Sequence, residues 1–327
     1  MVESIDAHTH FHPRSLVAFL SARTEPPRIA VEDGRRWLYF GPGVPAPYQD
    51  SMDHLDLKIA QMDAAGTSSA ILSVASGRLD AFTAAEAIAL SRGVNDELVD
   101  LVTSRADRFA ALALLPLQAP ESAAKELERC VSSGLKGALV ESNVAGRPLD
   151  DPIFYPIFEA AAHLDVPLFL HPNHPMISGP VEEYDLVPVV GFLIDSTIVA
   201  LRLVLSGVYE RHPNLKMFLA HAGSLLFPLI GRVDKFYDVG RLATGSSLRD
   251  APPSAYLRRL YTDTVCGSGP VLKTAIALVG EDHVVSGTDA PYFDAAWNEQ
   301  TLTKADLPGG VEEKIRTENA RRLFGLG

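Results

Sequence analysis

The chain has 327 residues, 47% of them hydrophobic and 21% charged, with a formal net charge of −12. That balance is ordinary for a globular enzyme, and the negative charge argues against nucleic acid or an anionic membrane surface as the main partner. Cys130 and Cys266 form no metal-binding spacing, and neither a basic-then-apolar leader nor an apolar run of membrane-spanning length is seen, so a cytoplasmic enzyme with free thiols is expected.

The first apolar run ends in Ile5-Asp6-Ala7-His8-Thr9-His10. On a strand, residues two apart share a face, so His8 and His10 project together, Thr9 turns away, and Asp6 falls on the histidine side. Residues 12–50 follow as a long irregular insertion, broken by Pro13, Pro26, Pro27, Gly34, Gly41-Pro42-Gly43, Pro45 and Pro47. A segment of that kind inside a compact chain often serves as a lid. Its Trp37, Tyr39 and Phe40 suit either the cover of a pocket or packing on the body of the protein.

A helix is expected over 53–65, capped by Asp53 and stopped by Gly66. Residues 70–75 read as the second strand, 80–104 as a long helix, 109–115 as the third strand, 121–133 as a helix and 137–141 as the fourth strand. Asp151-Pro152 opens the next helix. The fifth strand, 166–172, carries His171 near its end, and an irregular stretch over 173–186 leads to a helix near 190–210. The sixth strand, 215–223, carries His221; a helix follows over 225–237, then the seventh strand over 260–265 and a helix over 269–279. The eighth strand, 283–289, ends on Asp289, and a last helix carries Val311, Ile315, Ala320 and Leu323.

Eight aliphatic strands alternating with helices imply an α/β fold whose parallel sheet is buried on both faces. Eight units point to a (β/α)8 TIM-like barrel, one domain over 1–327, with 12–50 inserted over the pocket after the first strand. No Gly-x-Gly-x-x-Gly follows that strand, which removes the dinucleotide-binding alternative.

In such a barrel the active site gathers at the C-terminal ends of the strands. Of ten histidines, four (His8, His10, His171 and His221) fall at those ends, together with Asp289. His8, His10, His171 and Asp289 supply three imidazoles and a carboxylate, a set suited to Zn²⁺, with Mn²⁺, Fe²⁺ or Co²⁺ as substitutes. His221 would lie beside the ion and move protons there. His174, in the loop after the fifth strand, and Arg78, after the second, are candidate substrate contacts, each equally readable as a solvated side chain. Asp6, His12 and Asp263 are weaker site candidates. The fourth strand contains no lysine that could be carboxylated to bridge a second ion, so one metal is expected.

These stretches resemble the amidohydrolase superfamily, in the branch that includes aminocarboxymuconate-semialdehyde decarboxylase and γ-resorcylate decarboxylase. The resemblance rests on Asp6-Ala7-His8-Thr9-His10-Phe11, Leu170-His171-Pro172, Ala220-His221-Ala222-Gly223, Phe227-Pro228, Gly231-Arg232, Tyr261-Thr262-Asp263-Thr264 and Gly287-Thr288-Asp289-Ala290-Pro291-Tyr292. Gly93-Val94-Asn95-Asp96-Glu97-Leu98, Arg108-Phe109 and Leu115-Pro116-Leu117 are similar to the 6-methylsalicylate-type members. It implies one divalent ion, usually zinc, on His8, His10, His171 and Asp289, and His221 as catalytic acid/base. It also implies a homodimer in which an arginine near Arg232 or Arg241 reaches a neighbouring active site and its substrate. Many aromatic-acid decarboxylases of the branch have Glu-x-His where this chain has His8-Thr9-His10.

The expected reaction is non-oxidative decarboxylation of a small aromatic or unsaturated hydroxycarboxylic acid. Polarisation of the substrate by the metal and a proton from Asp289 or His221 would drain the charge left by departing CO₂. In a second route His221 deprotonates a metal-held water that adds first. The alternatives are a hydrolase of a lactone, amide or C–C bond with the same residues, and a metal-binding protein without catalysis.

Overall fold

The computed structural model describes the chain except residues 1–2, 42–44, 76–77, 178, 241, 243–245 and 247. Runs of aliphatic and aromatic residues pair as parallel strands because both of their faces find apolar cover. Ser4–His10 pairs with Thr67–Ser73, which pairs with Phe109–Ala111. The same run resumes at Ala113–Leu114, and Ala138–Glu141, Pro167–His171, Lys216–Leu219 and Tyr261–Thr262 follow as successive parallel neighbours. Along each strand the side chains alternate between two cores. Leu168 and Leu170 join the large cluster that the helices cover, as do Met217 and Leu219. Phe169 and Phe218 join a smaller one with Ile5, Ile71, Leu112, Leu139 and Val285. Their rings stack with centroids 4.4 Å apart.

The expected eighth strand differs. Residues 284–290 make only single bridges, Val284 to Thr262 and Ala290 to Thr9. Hydrogen bonds from Ala7 N–H to Ser286 O and from Val285 N–H to Thr262 O, both 2.8 Å, tie the segment to the first and seventh strands. The pairing is irregular: Ser286 N–H goes to Ile315 O, Thr288 N–H is shared between the Asp6 carboxylate and His8 O, and Asp289 N–H goes to His8 O as well.

The stretch 12–50 is more regular than its proline and glycine content predicts. It opens with a helix, Arg14–Ser21, and continues as a three-stranded antiparallel sheet of Arg28–Glu32, Arg35–Tyr39 and Ala46–Pro47. Asp33 and Gly34, both at positive φ (50° and 74°), make the two-residue turn that joins the first two strands. Pro42 and Gly43 lie outside the described residues. Asp53 is not the cap expected for the helix Leu55–Ala65; its carboxylate pairs with Arg36 of the small sheet at 2.6 Å. Gly66, at φ 73°, does end that helix.

One helical stretch, Val187–Leu205, is long and apolar enough to cross a membrane by length and composition, contrary to the expectation that no such run exists. Its Val199, Ala200, Leu203 and Val204 are buried in the large core, the setting of a core helix.

The helix Ala84–Ser104 starts at a reciprocal cap between Thr83 and Glu86 and fixes the third strand through Asn95. The Asn95 amide donates to Leu114 O (2.9 Å) and Glu126 Oε1 (2.8 Å) and accepts from Leu114 N–H (2.8 Å). Asn95→Ala would remove the side-chain partner of both Leu114 backbone groups, while Glu126 Oε1 keeps Arg129 at 2.7 Å. We expect a loss of about 1–3 kcal/mol, read as a lower midpoint in urea unfolding at unchanged slope; an unchanged midpoint would contradict it.

Candidate metal centre

The first strand delivers its histidines through an irregularity. Asp6 pairs with Ala70 and Thr9 with Leu72, so three steps along this strand face two along the next. Such a bulge re-aims side chains. Asp6 therefore leaves the histidine side on which simple alternation placed it. Its carboxylate accepts from the backbone N–H of His8 (3.2 Å) and of Thr288 (3.0 Å) and from the Thr288 hydroxyl (2.5 Å). Burial raises its pKa, against the pull of Thr288 and Lys58. His8 and His10 turn together, with ring centroids 5.1 Å apart.

His171 ends its strand with its ring 5.4 Å from His8 and 5.0 Å from His10. Asp289 reaches the same point: its Oδ1 lies 2.8 Å from His10 Nε2 and 3.2 Å from His8 Nε2, and its Oδ2 lies 3.4 Å from His221 Nε2. Ligand atoms of His8, His171, His221 and Asp289 all fall within 4.8 Å of one another. His10 is outside that mutually close set and joins it through Asp289.

The three histidines of the expected ligand set share one arrangement. His8 Nδ1 meets the Asp263 carboxylate at 2.8 Å, His10 Nδ1 meets Ser73 Oγ at 3.0 Å, and His171 Nδ1 meets Pro172 O at 3.1 Å. The Ser73 hydroxyl donates to Thr9 O (3.1 Å), leaving its oxygen to accept from His10. Each Nδ1 thus directs its proton toward a fixed acceptor, which leaves Nε2 as the nitrogen that can turn to a cation. His10 Nε2 meets Asp289 Oδ1 at 2.8 Å, while His8 Nε2 and His171 Nε2 are buried without a hydrogen-bond partner, as is His221 Nδ1. Buried ring nitrogens without partners, gathered round a carboxylate, fit a divalent cation.

The electrostatics agree. Burial pushes His10 down to about 4 against the pull of Asp289, and burial with the neighbouring imidazoles holds His171 well below the usual histidine range. Burial alone would raise Asp289, but His8, His10 and His221 hold it well below the usual carboxylate range. Burial also opposes charge on His8, yet Asp289 and Asp263 override it and lift His8 to about 10. That proton is the one a bound cation must displace.

His221 is not on a strand. The ladder stops at Leu219, and His221 and Ala222 sit in a tight turn at φ 61° and 50°. Backbone strain of this kind persists where its surroundings over-determine it. Here Asp263 does so, its carboxylate accepting from the N–H of His221 (3.0 Å), Ala222 (2.8 Å) and Val265 (3.0 Å) while also meeting His8. Asp263, a minor candidate by sequence, thus joins a ligand histidine to the candidate acid/base. Gly287 lets the segments approach: a Cβ there would lie 2.7 Å from the His8 Cβ and 3.2 Å from the Asp263 Cβ.

The other candidates stand apart from the imidazoles. His12 is buried, donating to Ala75 O (3.1 Å) and accepting from Tyr48 (3.3 Å) of the 12–50 segment. His174 is half-buried, and its carbonyl accepts from Asn143 (2.9 Å). Arg78 is engaged by Asp80 (3.3 Å) and by Phe40 O (3.3 Å), so it links the second strand's loop to the 12–50 segment. Arg232 is exposed and lies over the Phe236 ring at 4.9 Å. Arg241 lies outside the described residues. Glu141, which sequence reasoning passed over, ends the fourth strand opposite His171. Burial and the Asp80 charge push it up to about 8, with Arg78 pulling the other way.

The chain belongs to the Amidohydrolase family, whose sequence profile matches residues 5–326. It is 32% identical over 316 residues to gamma-resorcylate decarboxylase of Rhizobium radiobacter, a match covering 86% of this chain and 92% of that one. It is also 32% identical over 208 residues to 2-amino-3-carboxymuconate-6-semialdehyde decarboxylase of Dictyostelium discoideum, covering 63% of this chain and 58% of that relative's length. Among solved structures, dihydroxybenzoic acid decarboxylase of Polaromonas sp. JS666, with bound manganese and the inhibitor 2-nitroresorcinol, superposes with a TM-score of 0.82. That pair is 26% identical and covers 100% of this chain and 98% of the other.

Asp263→Asn would keep the shape but weaken the acceptor that fixes His8. We expect metal affinity to fall about 10–100-fold in a chelator competition, and wild-type affinity would contradict the role. Because Asp289 and Asp263 raise the proton affinity of His8, loading should release about one proton per ion and tighten as pH rises through neutrality. Calorimetry in buffers of different ionisation enthalpy reads this directly; loading without proton release would refute it.

Proposed function

We propose that the protein is a metal-dependent, non-oxidative decarboxylase of a small aromatic or unsaturated hydroxycarboxylic acid. The observation that carries this is the set of anchored imidazoles whose free nitrogens surround Asp289, with His221 beside them. Membership of the family, and full-length similarity to a gamma-resorcylate decarboxylase, support the reaction class.

In this reading His8, His10, His171 and Asp289 hold one divalent ion, zinc first and manganese as the alternative. When bound, the ion supplies Lewis-acid polarisation of an adjacent carboxylate and hydroxyl pair on the substrate. His221, turned toward Asp289 Oδ2 at 3.4 Å, holds and moves the proton. The proton goes from His221 or Asp289 to the carbon that bears the carboxylate. A C–H bond forms there, the C–C bond breaks, CO₂ leaves, and the ring recovers its electron pair.

The parallel strands, joined at their edges by the 284–290 segment, are read as a closed (β/α)8 barrel and the chain as one domain. The segment over 12–50 is read as its lid, tied down through Arg36–Asp53 and Phe40–Arg78. His174 is the nearest of the expected substrate contacts in chain order to a ligand histidine. Arg78, held by Asp80, is read as a contact for the substrate carboxylate, and Arg232, exposed on its helix, serves the substrate of a second copy in a homodimer. Two free cysteines support a cytoplasmic setting.

The metal-loaded protein should evolve CO₂ from members of a hydroxybenzoate panel. His221→Ala should keep its metal and lose roughly 100-fold or more of that turnover. Turnover of esters or lactones with no CO₂ from any acid would overturn the proposal.

A further inference from the structure

One charged side chain close to the centre has no part in the chemistry above. Lys58 belongs to the helix Leu55–Ala65 and is 3% exposed. Its Nζ donates to Thr9 Oγ1 at 2.8 Å and to His10 O at 2.9 Å. No carboxylate lies within ion-pair distance of it among the described residues. An ammonium buried against neutral oxygens is costly to desolvate, and these two oxygens would lose their donor without it.

Its position explains why it is there. The two oxygens that Lys58 holds belong to the residues just beyond the bulge in the first strand. Bulged residues lose regular ladder partners, so their orientation depends on what else grips them. Ser73 grips Thr9 O from one side, and Asp6 grips His8 N–H on the other. Ala290 O also holds the Thr9 hydroxyl (3.1 Å) and His10 N–H (2.8 Å), and Lys58 grips the two oxygens that remain, Thr9 Oγ1 as an acceptor and His10 O. A slip of one residue here would carry His8 or His10 away from Asp289.

We propose that Lys58 is a positioning residue for the metal centre: it pins the bulged segment so that both histidines of the first strand face the ion. The inference rests on the metal-centre reading, and the two fail separately. The test compares Lys58→Met with Met62→Ala, a core truncation on the same helix, by titration with Mn²⁺ alone followed by electron paramagnetic resonance. Thermal unfolding of each metal-free protein is measured alongside.

Both variants should lower the unfolding temperature. Only Lys58→Met should bind Mn²⁺ about 10–100-fold more weakly and with an altered spectrum, while Met62→Ala binds as wild type does. Wild-type Mn²⁺ affinity and spectrum in Lys58→Met would overturn the role. An equal loss of affinity in both variants would also overturn it, because destabilisation of the helix would then account for the effect. Failure of the wild-type protein to bind Mn²⁺ or Zn²⁺ would instead refute the metal centre itself.

Discussion

Three imidazoles held by their Nδ1 atoms, with their Nε2 atoms turned toward one carboxylate, are the constraint from which the rest of the site follows. Each anchor is of a different kind: a carboxylate for His8, a hydroxyl for His10, a backbone carbonyl for His171. All three leave the same nitrogen free. In a buried place, lone pairs aimed at a carboxylate repel it unless a cation intervenes, so the fold makes energetic sense as a cation holder. The low pKa of His10 and His171 and the ionised Asp289 are the same fact seen as protonation.

The supports of this constellation come from outside the strands that carry it. Asp263 spends one carboxylate on His8 and on the strained turn of His221, so the candidate ligand and the candidate acid/base share a support. Asp6 and Thr288 lock the first strand to the segment that bears Asp289. The 12–50 segment is fastened to the rest of the chain through Arg36 to Asp53 and Phe40 O to Arg78, and its Tyr48 closes back on His12, the residue two beyond His10.

Much of this was legible in the sequence. The candidate ligand residues were readable as a cluster because they terminate aliphatic runs, and a barrel's function collects at such ends. Most helices and strands fell near their expected bounds because the apolar periodicity that predicts them is also what buries them. The bulge was not readable: one extra residue leaves no trace in an apolar run, and it reversed the expected side of Asp6. The hairpin at Asp33-Gly34 had a signal, an Asp-Gly pair between Val31-Glu32 and Arg35-Arg36-Trp37, that the surrounding prolines obscured. Asp263 and Lys58 act through hydrogen bonds to distant backbone, which no local pattern encodes.

The central claim is that residues from the start, middle and end of the chain meet at one ion. Anomalous diffraction from crystals of the metal-loaded protein, collected at the metal's absorption edge, tests it most directly. The account predicts a single strong peak within bonding distance of His8, His10 and His171 Nε2 and of the Asp289 carboxylate. A peak held by other residues, or none at a site the crystals show to be fully ordered, would contradict it.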